Sequence, residues 1–76
     1  MKKKDYKLAY RLWQLENNFK SEGYEREGSY IEGLGSSFRI TRLKHPNGNT
    51  IDIASSDRFY EISVKKNGLI IKNEKL

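Results

Sequence analysis

The spacing of the apolar residues changes once along this chain, and that change limits the possible folds more than any other feature. Leu8, Leu12, Leu15 and Phe19 recur at intervals of four, three and four, which matches the helical period of about 3.6 residues. From residue 37 onward, apolar and polar residues alternate instead, as they do along a half-buried strand. The sequence therefore predicts one helix followed by strands.

Turn residues divide the second half of the chain. Asn47-Gly48 and Asn67-Gly68 are typical of tight hairpins, and Ser55, Ser56 and Asp57 form a shorter turn signal between them. We therefore predict an α+β fold of two layers. In it, an N-terminal helix over 5–22 packs on a three- to four-stranded antiparallel sheet over 37–72. Phe38, Ile40, Ile51, Ile53, Ile62 and Val64 are predicted to face the helix.

The ends of the helix and the size of the chain complete this prediction. Asp5 is expected to cap the helix N-terminus and Gly23 to end the helix in a left-handed conformation. Residues 1–4 are predicted to form a basic tail.

With 76 residues, the chain is expected to be a single small domain. It contains no cysteine, which excludes disulfides, thiolate catalysis and zinc–cysteine sites. No apolar run is long enough to cross a membrane, so we expect a cytoplasmic protein without a membrane partner.

Residues 23–36 are predicted to be a long Gly-rich, acidic loop. Gly28 and Gly33 have the spacing of the outer glycines of a phosphate-binding loop, but Leu34 and Gly35 occupy the positions that require Lys and Ser or Thr. A strand rather than a helix is predicted to follow. Acidic residues in or beside the loop would also repel phosphate, namely Glu22, Glu25, Glu27 and Glu32. A nucleotide site is therefore excluded, and the role of segment 22–32 stays open.

No set of catalytic or metal-binding residues is recognisable. The single histidine, His45, precedes Pro46 in a predicted hairpin turn, where a histidine without partners is only polar. A nuclease-like arrangement would need a lysine at Ser63, two positions after Glu61, but the lysine comes at Lys65. We predict no enzyme activity, no cofactor, no metal site and no small-molecule substrate.

The charge of the chain favours polyanions. The chain contains fifteen Lys and Arg residues and ten Asp and Glu residues, which gives a net charge of +5. Such an excess favours nucleic acid as a partner, although it also serves solubility alone. Arg39 and Lys65 are expected to point away from the apolar face, whereas Arg42 falls where an inward residue is expected, so a bulge or the sheet end must turn it outward. The candidate nucleic-acid-binding residues are Lys7, Arg11, Arg39, Arg42, Lys44, Lys65 and Lys66.

A second stripe of the helix is aromatic. Tyr6, Tyr10 and Trp13 lie roughly 155° from the leucine stripe at about 100° per residue. They are either the margin of a small core or an interface with a protein partner or a second copy of the chain. Phe59 is predicted on the outer face of the sheet, where it could stack on a base or join a dimer contact.

In its size, its Lys-, Asn- and Ile-rich composition and its lack of a catalytic set, the chain resembles accessory proteins of phages from low-GC bacteria. Anti-CRISPR proteins and other inhibitors of host defence belong to that group. The resemblance implies a non-enzymatic binding protein that acts on nucleic acid or a nucleic-acid-handling complex in a bacterial host cell. The alternative is a homodimeric structural or assembly protein that uses the aromatic helix stripe.

Overall fold

The computed structural model describes residues 3–31 and 38–76, apart from the side chain of Lys4. Within these ranges the elements are α1 (Lys3–Ser21), β1 (Glu25–Ile31), β2 (Phe38–Lys44), β3 (Thr50–Ser56), β4 (Glu61–Lys66) and β5 (Leu69–Lys75). The five strands form one sheet in chain order, and all neighbours are antiparallel. The predicted α+β architecture, with an N-terminal helix followed by an antiparallel sheet, is therefore confirmed, with five strands instead of three or four.

The additional strand comes from the predicted loop. The prediction of a loop over 23–36 is wrong for β1, which pairs with β2 along its whole length, with a register shift between Arg26 and Gly28. Charged residues and a glycine give β1 little strand propensity of its own, so the free edge of β2 supplies the reason for its extended form. Gly33, Gly35 and residues 1–2 of the basic tail lie outside the described residues.

The helix ends as predicted but begins differently. Gly23 has a φ of 104°, and its N–H donates to the Lys20 carbonyl at 3.0 Å while the Tyr24 N–H donates to the Phe19 carbonyl at 3.1 Å. This is the hydrogen-bond pattern of a left-handed helix end. The helix begins at Lys3, so the prediction of Asp5 as N-cap is wrong. Asp5 lies in the first turn and accepts a hydrogen bond from the Tyr60 hydroxyl at 3.1 Å.

The core lies between the leucine stripe of the helix and the middle strands. Leu8 and Leu15 are buried, and Leu12 and Phe19 pack against the same cluster, which confirms the predicted stripe. The buried residues they meet are Tyr24, Leu43, Ile51, Ile53, Ile62 and Val64. Burial of these side chains is the main stabilising contribution available to so short a chain.

Strand β2 faces the other way from its prediction. Leu43 is completely buried and lies opposite the equally buried Ile51, so alternate residues from Leu43 back to Arg39 face the helix. Phe38 and Ile40, which were predicted to face it, lie on the opposite side of the sheet, where Ile40 is nevertheless buried. The β2–β3 hairpin decides this, because its register sets Leu43, and not its neighbour, against Ile51. We call the side away from the helix the open face.

His45 connects the helix end to the β2–β3 turn. Its Nδ1 accepts a hydrogen bond from the Asn47 N–H at 3.1 Å, so its Nε2 carries the proton that is donated to the Glu22 carbonyl at 3.1 Å. The ring also packs edge-on against Tyr24, with 5.0 Å between ring centroids. The residue predicted to be merely polar therefore has a structural role.

Candidate functional site

The helix-facing side of the sheet changes from apolar to polar between β4 and β1. One cross-strand row shows the change: Val64 and Ile53 are buried under the helix, and Thr41 and Ser29 continue the row on β2 and β1. Because the last two side chains are short, they do not fill the space beside the helix. A cleft therefore separates α1 from the outer strands.

This opening, which we call the α1–β2 cleft, has a volume of about 330 Å³. Its helix wall includes Leu12, Trp13 and Glu16, and its sheet wall includes Arg26, Arg39 and Thr41. Hydroxyl groups, two guanidinium groups and an indole ring therefore surround an apolar base. Such a mixture suits a ligand that has both a planar ring and an anionic group.

Arg39 lies in the cleft, which corrects the prediction that it points away from the apolar face. It stands opposite Ser55 of β3 and Ile31 of β1, in the helix-facing row next to that of Ile53. Its side chain is exposed. Within residues 3–31 and 38–76, no carboxylate lies within ion-pair distance of it. In the part of the chain that the structure describes, Arg39 is therefore an exposed cation without a carboxylate partner.

Trp13 forms the outer margin of the same cleft. Its side chain is 62% exposed and stacks on Tyr10, with ring centroids 5.9 Å apart and planes inclined by 25°. Tyr6 and Tyr10 are 62% and 60% exposed. The aromatic stripe is thus an uncovered surface of the protein, and Trp13 joins that surface to the cleft.

Glu16 binds two cationic side chains, those of Arg26 and Lys20, at the other end of the cleft. Its Oε1 accepts hydrogen bonds from Nε and Nη2 of Arg26 at 2.9 and 2.6 Å, and its Oε2 lies 3.2 Å from Nζ of Lys20. Burial alone would raise the pKa of Glu16, but the hydrogen bonds from Arg26 and Lys20 outweigh it, so the pKa lies below its ordinary value. The carboxylate is therefore ionised and already bound to two cations.

The predicted binding residue Arg42 lies on the open face. Its Nε and Nη2 donate to the two carboxylate oxygens of Asp52 at 2.8 and 3.1 Å, and this hydrogen-bonded pair raises the pKa of Arg42. A bulge or the sheet end was predicted to turn Arg42 outward, but the β2–β3 register is regular through Arg42. The register shift near it lies in β1, between Arg26 and Gly28. Lys44 and Lys65 are exposed on the same face, opposite Glu25 and Asp52.

The remaining predicted cations lie elsewhere. Arg11 makes a two-point ion pair with Glu74 of β5, on the flank of the helix away from the cleft. Lys7 is exposed one turn earlier on the helix, and Lys66 is exposed at the end of β4. The seven residues predicted to bind nucleic acid therefore do not form one surface, and only Arg39 lies in the cleft.

Phe59 lies in the turn before β4 and not on a strand as predicted. Phe59 is about half exposed, and its ring centroid lies 6.3 Å from the ring centroid of Phe38. The guanidinium carbon of Arg58 lies 5.4 Å from the ring centroid of Phe59. Tyr30 is also exposed and lies opposite Ile40 on the open face. Phe38 and Phe59 thus form a second, smaller aromatic group, and Tyr30 is a separate exposed aromatic residue on β1.

Sequence patterns did not indicate the roles of Arg26, Ser29 and Thr41. All three become cleft residues through the pairing of β1 with β2, and β1 was not predicted. The one local signal was the spacing of Glu16 and Lys20, which places them on neighbouring turns of a helix.

Among the described residues, no group of three or more His, Asp or Glu side chains converges as a metal site would require. The described helix is neither long nor apolar enough to cross a membrane. No family model, curated protein or solved structure matches the chain.

Proposed function

We propose that this chain is a non-enzymatic binding protein that holds a single strand of nucleic acid in the α1–β2 cleft. One observation carries the proposal: the guanidinium of Arg39, which has no carboxylate partner among the described residues, and the exposed indole of Trp13 line the same cleft. A phosphate and a base are adjacent in every nucleotide, so a cation beside an aromatic ring matches both parts of one unit.

Each group has a definite role in this proposal. The Arg39 guanidinium would donate two parallel hydrogen bonds to phosphate oxygens, which is the geometry arginine favours. The Trp13 ring would stack on a base, an interaction worth about 1–3 kcal/mol and tolerant of base identity. The volume of about 330 Å³ suits one nucleotide, and a base in a duplex would not reach the indole. Single strands are therefore the expected ligand.

The net charge of +5 supports a polyanionic partner, because it attracts such a ligand over the whole surface. A strand exposed within a nucleoprotein complex would offer the same groups. The proposal therefore includes a phage or mobile-element accessory protein that inhibits a nucleic-acid-handling assembly of its bacterial host, such as a CRISPR-type defence complex. In either setting the cleft is the surface that contacts the strand.

The test is fluorescence anisotropy with labelled single- and double-stranded DNA and RNA at several salt concentrations. We expect single strands to bind more tightly, with an affinity that falls linearly with salt on logarithmic axes. Arg39→Gln should weaken binding about tenfold and reduce the salt slope by about 0.7, the value of one phosphate contact. Arg42→Gln is the matched control, because Arg42 is already paired with Asp52. Absence of binding at low salt, or equal losses in both variants, would contradict the proposal.

Self-association is a second candidate function, favoured by the continuous exposure of Tyr6, Tyr10 and Trp13 along α1. Exposed Tyr and Trp side chains in one patch are typical of interface centres. Sedimentation equilibrium would then give a dimer mass that Tyr10→Ser reduces to that of a monomer. A monomer mass for the unaltered protein over its whole soluble concentration range would exclude this function.

A further inference from the structure

We propose that Arg26 and Lys20 form a second phosphate subsite, which the Glu16 carboxylate fills in the free protein. This inference rests on the proposed binding of a single strand in the α1–β2 cleft and extends it to a neighbouring phosphate. Three observations carry it: the contacts of Glu16, the exposure of its two partners, and the position of the three residues relative to Trp13 and Arg39.

The contacts of Glu16 are those an external anion would make. One carboxylate oxygen accepts two N–H groups of Arg26 at 2.6 and 2.9 Å, and the other lies 3.2 Å from the Lys20 ammonium. Two cations thus face one anion and keep one net positive charge. A backbone phosphodiester has the same charge as a carboxylate and also offers two acceptor oxygens, so it can take the place of Glu16 and leave both cations bonded.

The exposure of the three side chains allows such an exchange. The Arg26 and Lys20 side chains are 53% and 46% exposed, whereas that of Glu16 is only 18% exposed. An incoming phosphate therefore reaches the two cations from solvent. Since Glu16 is an internal competitor for the same donors, it lowers the affinity of the subsite for phosphate.

The position of the subsite fits a strand that also contacts Arg39. Arg26 stands opposite Leu43 on β2, four residues along that strand from Arg39, or about 13 Å at the usual strand rise. Trp13 lies one helical turn before Glu16 on the cleft side of α1. A base stacked on Trp13 would therefore have one phosphate of its strand near Arg39 and another near Arg26.

The test compares variants by anisotropy with labelled oligothymidylate and oligouridylate at one salt concentration. Glu16→Gln should tighten binding about fivefold, because the competing anion is removed. Glu74→Gln is the matched control: it removes the same charge from another arginine pair, that of Arg11, on the far flank of the helix. It should change affinity by less than about twofold. The double variant Glu16→Gln/Arg26→Gln should lose the gain.

The outcomes separate the two proposals. If the unaltered protein binds neither oligonucleotide, or if Arg39→Gln has no effect on binding, the proposed function itself fails. If binding depends on Arg39 but Glu16→Gln gains no more than Glu74→Gln, or the gain survives loss of Arg26, the second subsite fails. Circular dichroism melting checks that each variant is folded. If Glu16→Gln does not fold, Lys20→Gln provides the comparison, with an expected loss of about threefold.

Discussion

Arg11 and Glu74 join the first element of the fold to its last strand through two parallel hydrogen bonds. Arg11 Nε lies 2.5 Å from Glu74 Oε1, and Arg11 Nη2 lies 3.2 Å from Oε2. The hydrogen bond from Arg11 lowers the pKa of Glu74, more than burial of the carboxyl raises it. This pair holds the outer strand β5 against the helix. Apolar contacts of that strand contribute little to holding it there.

The Arg11–Glu74 pair should stabilise the fold measurably. Because the pair is half-buried and bidentate, we expect Arg11→Met to lower the free energy of unfolding by about 1 kcal/mol. Methionine keeps most of the aliphatic stem, so the loss reports the ion pair. Urea unfolding followed by circular dichroism measures it. In the background of Glu74→Gln the same substitution should cost clearly less, and equal costs in both backgrounds would show that the two residues do not interact.

Stability should fall in acid through Glu16 and Glu74. Both carboxyls have a folded-state pKa below the ordinary value, so below about pH 5 the unfolded chain binds more protons than the folded one. Their contribution is fully present above the unfolded-state pKa of about 4.3 and is lost as the pH falls through the folded-state values. Thermal unfolding between neutral and acid pH checks this, and the Glu16→Gln/Glu74→Gln variant should show a flatter profile.

Gly23→Ala should destabilise the protein for two separable reasons. The residue has a φ of 104°, and an added Cβ would lie 2.7 Å from Nε2 of His45. We expect a loss of about 2–3 kcal/mol in the free energy of unfolding. Gly48→Ala is the control, because Gly48 has a φ of 97° with no atom within 4 Å of its added Cβ. It should cost about 1 kcal/mol, and equal losses would show that His45 moves aside without cost.

The orientation of β2 can be tested by truncating its apolar side chains. Leu43 is completely buried in the main core, so Leu43→Ala should cost about 3 kcal/mol. Phe38, on the open face, is only partly covered, and Phe38→Ala should cost about 1 kcal/mol despite its larger side chain. Urea unfolding gives both values. If Phe38→Ala lowered the free energy of unfolding more than Leu43→Ala, β2 would have the orientation predicted from the alternation of Phe38 and Ile40.

Trp13 should matter for binding and not for stability. As its side chain is 62% exposed, Trp13→Ala should leave the free energy of unfolding within about 0.5 kcal/mol. The same substitution should weaken single-strand binding about tenfold through loss of stacking. Tyr6→Ala is the control, since Tyr6 is equally exposed but does not line the cleft. Because Trp13 is the only tryptophan, quenching of its fluorescence provides a second measurement of binding.

Much of the fold could be predicted from local patterns. The leucine stripe of α1, the helix end at Gly23 and the hairpins at Asn47-Gly48 and Asn67-Gly68 all depend on neighbouring residues, and each is present in the structure. Strand β1 could not be predicted in this way. Its first residues, which are charged or glycine, carry little strand propensity, and pairing with the free edge of β2 makes them extended.

The candidate cleft was even less accessible to sequence reasoning. The sequence left open whether Trp13 is part of a core margin or of an interface, and it identified Arg39 as a candidate cation, but it did not predict that the two residues line one cleft. Alternation in β2 placed Arg39 on the wrong side, because a shift of one residue exchanges the two faces of a strand. Arg11, Arg26 and Arg42 each pair with a carboxylate on another helix or strand. No local sequence pattern therefore distinguishes these paired arginines from Arg39.

By itself, the sequence determined the order of helix and hairpins, the buried stripe of the helix, the presence of an aromatic stripe on its opposite side and the excess of positive charge. These properties follow from interactions within one or two turns of chain. Only the tertiary structure decided that β1 completes the sheet and that Leu43 and not Phe38 faces the core. It also decided that Arg39 and Trp13 line one cleft, where Arg39 has no counterion among the described residues. Those outcomes depend on strand register, which long-range hydrogen bonding and burial of the common core set together.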